Sequence, residues 1–191
     1  MPIKNSLFII IVVHFFNCAV TNYKKLSIEN PAKLIAIQDS LLLVSGDNQL
    51  VRDALVTANN SIAEKYLSTG DLKSAAQHFS NSTLIDDHNK YSKFGLLIVE
   101  GRILIKKGNK NGIWDAIEKF SEASSLFPNN GEPFYWMAES YTKLGDTEFD
   151  LILESYEKSL ALDLDEGLRL EVEKNYNIAK DRKNKLDSFW K

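Results

Sequence analysis

Three stretches of the chain read alike: IAEKYLSTGDLKSAAQHFSNSTLIDD (62–87), EGRILIKKGNKNGIWDAIEKFSEASSLFP (100–128) and MAESYTKLGDTEFDLILESYEKSLALDL (137–164). Each holds a helical run, a glycine and a second helical run. The glycines are Gly70, Gly108 and Gly145, spaced by 38 and then 37 residues. Ala63, Gly101 and Ala138 precede them by seven residues, and Tyr66, Leu104 and Tyr141 by four. After the turn the matching sets are Ala75, Ala116 and Ile152; Phe79, Phe120 and Tyr156; and Ser82, Ala123 and Ser159. A period of this size marks stacked supersecondary units. The residue types account for the geometry. A small side chain lets two helices approach closely, and an aromatic about one turn away fills the gap between neighbours. Glycine lets the chain turn with φ above zero. Asp71 and Asp146 follow two of the glycines, where a side-chain oxygen can accept the free amides of the second helix.

These residues resemble the tetratricopeptide repeat, whose unit is about 34 residues. The resemblance covers 56–165, divided as 56–89, 94–130 and 131–165. It implies an all-α fold: a right-handed α-solenoid of about three helix pairs with flanking capping helices. The family's closing proline appears once, as Pro128, with Asp87 and Leu164 in its place elsewhere. Asn59, Leu97 and Phe134 stand where an early tryptophan is usual. Insertions fall in the turns at Asn109 to Ile113 and Thr147 to Phe149, and at the junction Lys90 to Lys93.

The flanks complete a helical chain. Asn30-Pro31 is a helix start, and Leu34, Ile35, Ile37, Leu41, Leu42 and Val44 predict one amphipathic helix over 31–45. A second helix is expected from near Asn48 into the first repeat, so 31–55 forms the N-terminal helices. The tail, 166–191, reads as a solvated helix capping the last repeat, which would otherwise expose its apolar face. Composition agrees: of 191 residues 44% are apolar, 26% charged, and only 4 are Pro and 9 Gly. That is globular rather than disordered, and poor in chain breakers. A net charge of −3 gives no field for nucleic acid.

The N-terminus reads as an address. Lys4 precedes an apolar run, Leu7 to Phe16, broken only by His14, and the chain turns polar after Cys18. Such a stretch fits an export signal over 1–17 and is too short for a membrane span of roughly 20 residues. Cys18 is the only cysteine, which excludes an intrachain disulfide. Its place resembles the lipobox of bacterial lipoproteins, whose cysteine becomes the lipid-bearing N-terminus. Phe15, Phe16 and Asn17 depart from that pattern. The resemblance implies lipidation at Cys18, a tether over 18–30 and a place in the bacterial cell envelope. Ala19 is not the acidic residue that retains many lipoproteins in the inner membrane, which points to the outer membrane, with the protein facing the periplasm.

No catalytic set of nucleophile, base and orienter emerges. His78 beside Phe79 reads as a packed imidazole; His88, with Asp86 and Asp87, reads as a polar turn. Gly95 and Gly101 lie in a helical pattern without a phosphate-loop lysine. Trp114, Trp136 and Trp190 lack an accompanying basic stripe and read as core or cap residues. The reading is therefore a non-catalytic scaffold without cofactor or metal, holding a protein or peptide. The alternative is a structural or regulatory subunit of an envelope enzyme complex. In the resembled family the first helix of each pair lines the binding groove. That places Asn60, Glu64, Leu67, Ile98, Arg102, Ile105, Tyr135, Glu139 and Thr142 there, with Tyr135 and Arg102 exposed. The Lys/Asn/Arg carboxylate clamp of the chaperone-binding members is absent.

Overall fold

The computed structural model of the protein describes residues 22–145 and 148–189. Those residues form ten helices, which take in 84% of them, packed as a series of adjacent pairs without strands. They are α1 (22–29), α2 (Pro31–Ile35), α3 (Gln38–Ser45), α4 (Gln49–Ser68), α5 (Leu72–Ile85), α6 (Lys90–Lys107), α7 (Lys110–Leu126), α8 (Glu132–Leu144), α9 (Phe149–Leu160) and α10 (Glu166–Phe189). The export signal, Cys18, Asp146 and Trp190 lie outside the described residues.

The chain divides into two compact units, one up to Ser92 and one from Lys93. In the first, α4 and α5 form an antiparallel pair. Gly70, with φ of 80°, makes the turn, and the Asp71 carboxylate caps α5 by accepting the Ser74 amide at 3.1 Å. α1, α2 and α3 lie against α4. Leu34, Val51, Leu55 and Ile85 are the center of that core, with Tyr23, Leu26, Leu41 and Leu42 packed around it. In the second unit, Phe94, Ile98, Ala116, Phe120 and Ala123 join α6 to α7. Tyr135, Ala138, Ile152, Tyr156, Val172 and Ala179 join α8, α9 and α10. Gly108 and Gly145 have φ of 72° and 116°; with Gly70 they are the described residues with positive φ.

The recurring positions are buried in every pair except for Tyr66, Leu104 and Tyr141, which keep solvent access. Ala63, Ala138, Ala75, Ala116, Phe120 and Ala123 are fully covered, as are Ser82 and Ser159, and Gly101, Ile152, Phe79 and Tyr156 are buried too. Gly101 shows why that register requires a small residue: a Cβ there would stand 2.4 Å from the Phe120 ring. The two serines lock their pairs in the same way. Ser82 Oγ donates to the Val56 carbonyl of α4 at 3.2 Å, and Ser159 Oγ to the Gly131 carbonyl before α8 at 2.9 Å.

Four expectations need correction. The tether over 18–30 is largely helix: α1 occupies 22–29, where Tyr23 and Leu26 dock on the core and Ser27 is buried. The helix expected over 31–45 breaks at Ala36 and Ile37 into α2 and α3. Lys90 to Lys93 are the first turn of α6 rather than a linker, with Asn89 accepting the Ser92 amide at 2.9 Å. The insertion at Asn109 to Ile113 lengthens α7: Asn109 is its cap, accepting the Gly112 amide at 2.7 Å, and Ile113 is buried. In the last two cases a helix with its own Asn cap absorbs residues that repeat alignment alone assigns to loops.

Candidate protein-binding surface

The nine groove residues divide by burial. Glu64 is exposed, and Leu67, Arg102, Glu139 and Thr142 are half-buried. Asn60, Ile98, Ile105 and Tyr135 are buried. The exposure expected of Tyr135 is therefore corrected: only 2% of it meets solvent. Its phenol donates to Glu171 Oε1 of α10 at 2.9 Å, so the capping helix covers the face the alignment left open. Ile98 and Ile105 belong to the α6–α7 core. Asn60 accepts from Ser92 Oγ at 3.0 Å, and neighbouring Glu64 accepts from the Tyr91 phenol.

In the second unit these residues form a polar network at the junction of α8, α9 and α10. Tyr156 donates to Glu139 Oε1 at 2.6 Å, and Asn175 donates to the same oxygen at 2.9 Å. Burial first, and then the Glu139 carboxylate, drives the Tyr135 phenol far above its ordinary value. Burial followed by the hydrogen bond to Glu139 does the same for Tyr156. Both stay neutral donors, and each carboxylate accepts what a buried phenol must give. Thr142 Oγ1 turns back to the Ala138 carbonyl at 2.9 Å.

Arg102 sits beside this network. Its guanidinium lies 4.5 Å from the centre of the Trp136 ring, within cation–π range. The Trp136 indole donates to Glu132 Oε1 at 3.1 Å. Burial lowers the Arg102 pKa, opposed by Glu132. Burial also raises the Glu132 carboxyl, opposed by the Trp136 hydrogen bond and by Arg102. The two charges thus share one partly desolvated site, each offsetting some of the other's cost. A cation, an indole edge and a carboxylate in one place can recognise a polar group and an apolar one together.

The first unit has a cleft of about 780 Å³ between α2, α4 and α5, with Pro31, Ile35, Ile62, Lys65, Tyr66 and His78 on its walls. His78 stacks on Tyr66, ring centres 5.7 Å apart and 14° from parallel. Its Nδ1 meets Asn59 Oδ1 at 2.9 Å. The fully buried Asn59 amide donates to Gln38 Oε1 at 2.7 Å and to the Leu55 carbonyl at 3.1 Å. Because Asn59 spends its N–H groups there, its oxygen accepts, and the His78 proton lies on Nδ1. Burial holds the imidazole below its ordinary value.

Sequence reasoning missed this cleft, because nothing in the repeat register places α2 against the outer edge of α4. It also missed Glu171 and Asn175. Their spacing of one helical turn on α10 was the available signal, since it lets both reach one helix face. Among the described residues no cluster of three or more His, Cys, Asp or Glu is arranged to hold a metal ion. His88 is exposed, 3.5 Å from Asp87. No described helix is long and apolar enough to cross a membrane. No family model matches the chain, and no curated protein matches it.

Proposed function

We propose that the chain is a tetratricopeptide-like adaptor, a right-handed α-solenoid of three helix pairs, anchored in the bacterial envelope through lipid on Cys18 and holding a protein or peptide. The observation that carries this reading is the reuse of one packing template. Small, aromatic and small residues recur at matched positions, and those of the second helices, with Ala63, Gly101 and Ala138, are buried throughout. A chain that repeats one structural unit presents one first helix per repeat, and such arrays serve as binding surfaces. The partner-facing side chains are those with solvent access: in the first unit Glu64 and Leu67 on α4, and in the second unit Arg102 on α6 with Glu139 and Thr142 on α8. Asn60, Ile98, Ile105 and Tyr135 hold these helices in place from beneath. The outer membrane, with the domain in the periplasm, is the expected location.

Purification of the lipidated full chain from its native membrane tests the reading. One stoichiometric protein partner is expected. Glu64→Ala with Arg102→Ala should weaken its capture by at least ~2 kcal/mol, the size of a binding hot spot. Glu118→Ala, exposed on α7, should leave capture unchanged. Recovery of no partner, or turnover of a substrate by the purified chain, contradicts the scaffold. Labelled palmitate should enter the protein and vanish with Cys18→Ser; equal labelling of both removes the anchor.

A further inference from the structure

α1, with which the described residues begin, starts four residues after Cys18. Four residues reach at most about 14 Å even when fully extended. α1 is docked rather than loose, since Tyr23 and Leu26 pack on the same core that receives Leu41 and Leu42 of α3. α3 thus belongs to the same compact unit and shares the core on which α1 docks. The exposed side of α3 carries bare aliphatic side chains one turn after Asp39 and Ser40. Leu43 is 88% exposed and Val44 82%, and Leu50 in the first turn of α4 is 55% exposed. Two nearly naked aliphatic side chains in one helical turn, with a third seven residues on, are a patch that water disfavours.

We propose that this patch, the last turn of α3 with the first turn of α4, rests in the membrane surface to which Cys18 anchors the chain. The inference deepens the anchoring reading and rests on it. A lipid surface fits better than a second copy of the chain, because three side chains bury far less than the roughly 1,200 Å² of a stable dimer. The contact is apolar rather than electrostatic. Residues 22–50 carry Lys24, Lys25 and Lys33 against Glu29, Asp39 and Asp47, three charges of each sign. Uncharged lipid is therefore sufficient, and salt should not release the patch. The arrangement gives the domain a fixed face toward the bilayer, rather than a free swing on a tether.

The test uses the full chain produced in a host that acylates Cys18, carrying Leu43→Cys. With Cys18 acylated, the new thiol is the one free cysteine and takes a nitroxide label. The protein is placed in phosphatidylcholine vesicles, and label collisions with oxygen and with a water-soluble nickel chelate are compared. Mass spectrometry of the same sample counts acyl chains on Cys18. The proposal expects oxygen to dominate at position 43, and nickel to dominate at Lys73→Cys on the exposed surface of α5. Nickel dominance at 43 with Cys18 acylated overturns the proposal and leaves the anchor standing. Shielding from both reagents overturns it in favour of a protein or a second copy covering the patch. Absence of acyl chains removes the proposal together with the anchoring reading.

Discussion

The N-terminal and C-terminal helices cover the helix pairs with opposite chemistry. α1, α2 and α3 close on α4 with apolar side chains: Leu34 is fully buried, and Tyr23, Leu26, Ile35, Leu41 and Leu42 surround it. α10 is one helix of 24 residues, yet Val172 and Ala179 are its buried side chains. Its docking adds a line of polar contacts: Glu171 to Tyr135, Asn175 to Glu139, Tyr176 to Glu157 and Lys183 to Asp150. The same kind of helix pair can thus be closed by burying apolar area or by satisfying buried phenols. Apolar closure is insensitive to charge, and polar closure depends on which groups are ionised.

The largest expected effects separate the two schemes. Leu34→Ala should cost about 2–5 kcal/mol and Phe79→Ala about 3–5 kcal/mol, read as shifts of the urea midpoint. A loss under 1 kcal/mol for Leu34→Ala would mean the N-terminal helices are not part of the folded unit. At the other end, Tyr156→Phe keeps the ring and removes a hydroxyl that donates to the Glu139 carboxylate at 2.6 Å. About 1.5 kcal/mol is expected, the low end for a hydrogen bond to a charged group, because Asn175 still serves Glu139. Tyr156→Phe at full stability would show that the hydroxyl bond from α9 to Glu139 of α8 adds nothing to the closure of that pair.

A smaller effect appears with pH. In the fold, burial favours the neutral His78 imidazole, while the unfolded chain titrates near the ordinary 6.5. Its contribution is intact above that value and is lost as pH falls below it toward the folded pKa. Unfolding of the wild type between pH 7.5 and 5 should therefore steepen relative to His78→Phe, which keeps an aromatic on Tyr66. Parallel curves would place the imidazole outside the energetics of the cleft. The smallest effect is expected at Lys183→Ala: the Asp150 side chain it meets is 91% exposed, so the midpoint should not move measurably.

Much of the fold was legible because it depends on local rules. The turn glycines and the buried small and aromatic positions follow from how closely two helices can approach, a constraint that marks each residue type directly. The caps at Asn48, Asp71 and Asn109 were legible or could have been, since an Asn or Asp before a helical run has a local purpose. What the sequence left hidden depends on third parties. Tyr135 reads as an open groove aromatic until α10 brings Glu171 to its hydroxyl. Residues 22–29 read as tether because their apolar positions are few, and Tyr23 and Leu26 gain meaning from a core that α4 supplies. The Tyr66–His78 stack joins residues on two helices whose relative rotation the alignment does not specify.

The reuse of one packing template underlies both the fold and the proposed role, and Gly101 tests it most directly. In a solvated helix, alanine in place of glycine stabilises by about 1 kcal/mol. At Gly101 the added methyl would meet the Phe120 ring at 2.4 Å, and that ring is fully buried. Urea unfolding of Gly101→Ala should therefore show a loss of at least ~1 kcal/mol, the scale of overpacking a closed core. Gly101→Ala in a Phe120→Leu background should lose markedly less than it does alone. A stability gain from Gly101→Ala in the wild type would contradict the close approach of α6 and α7 that this register of the template requires.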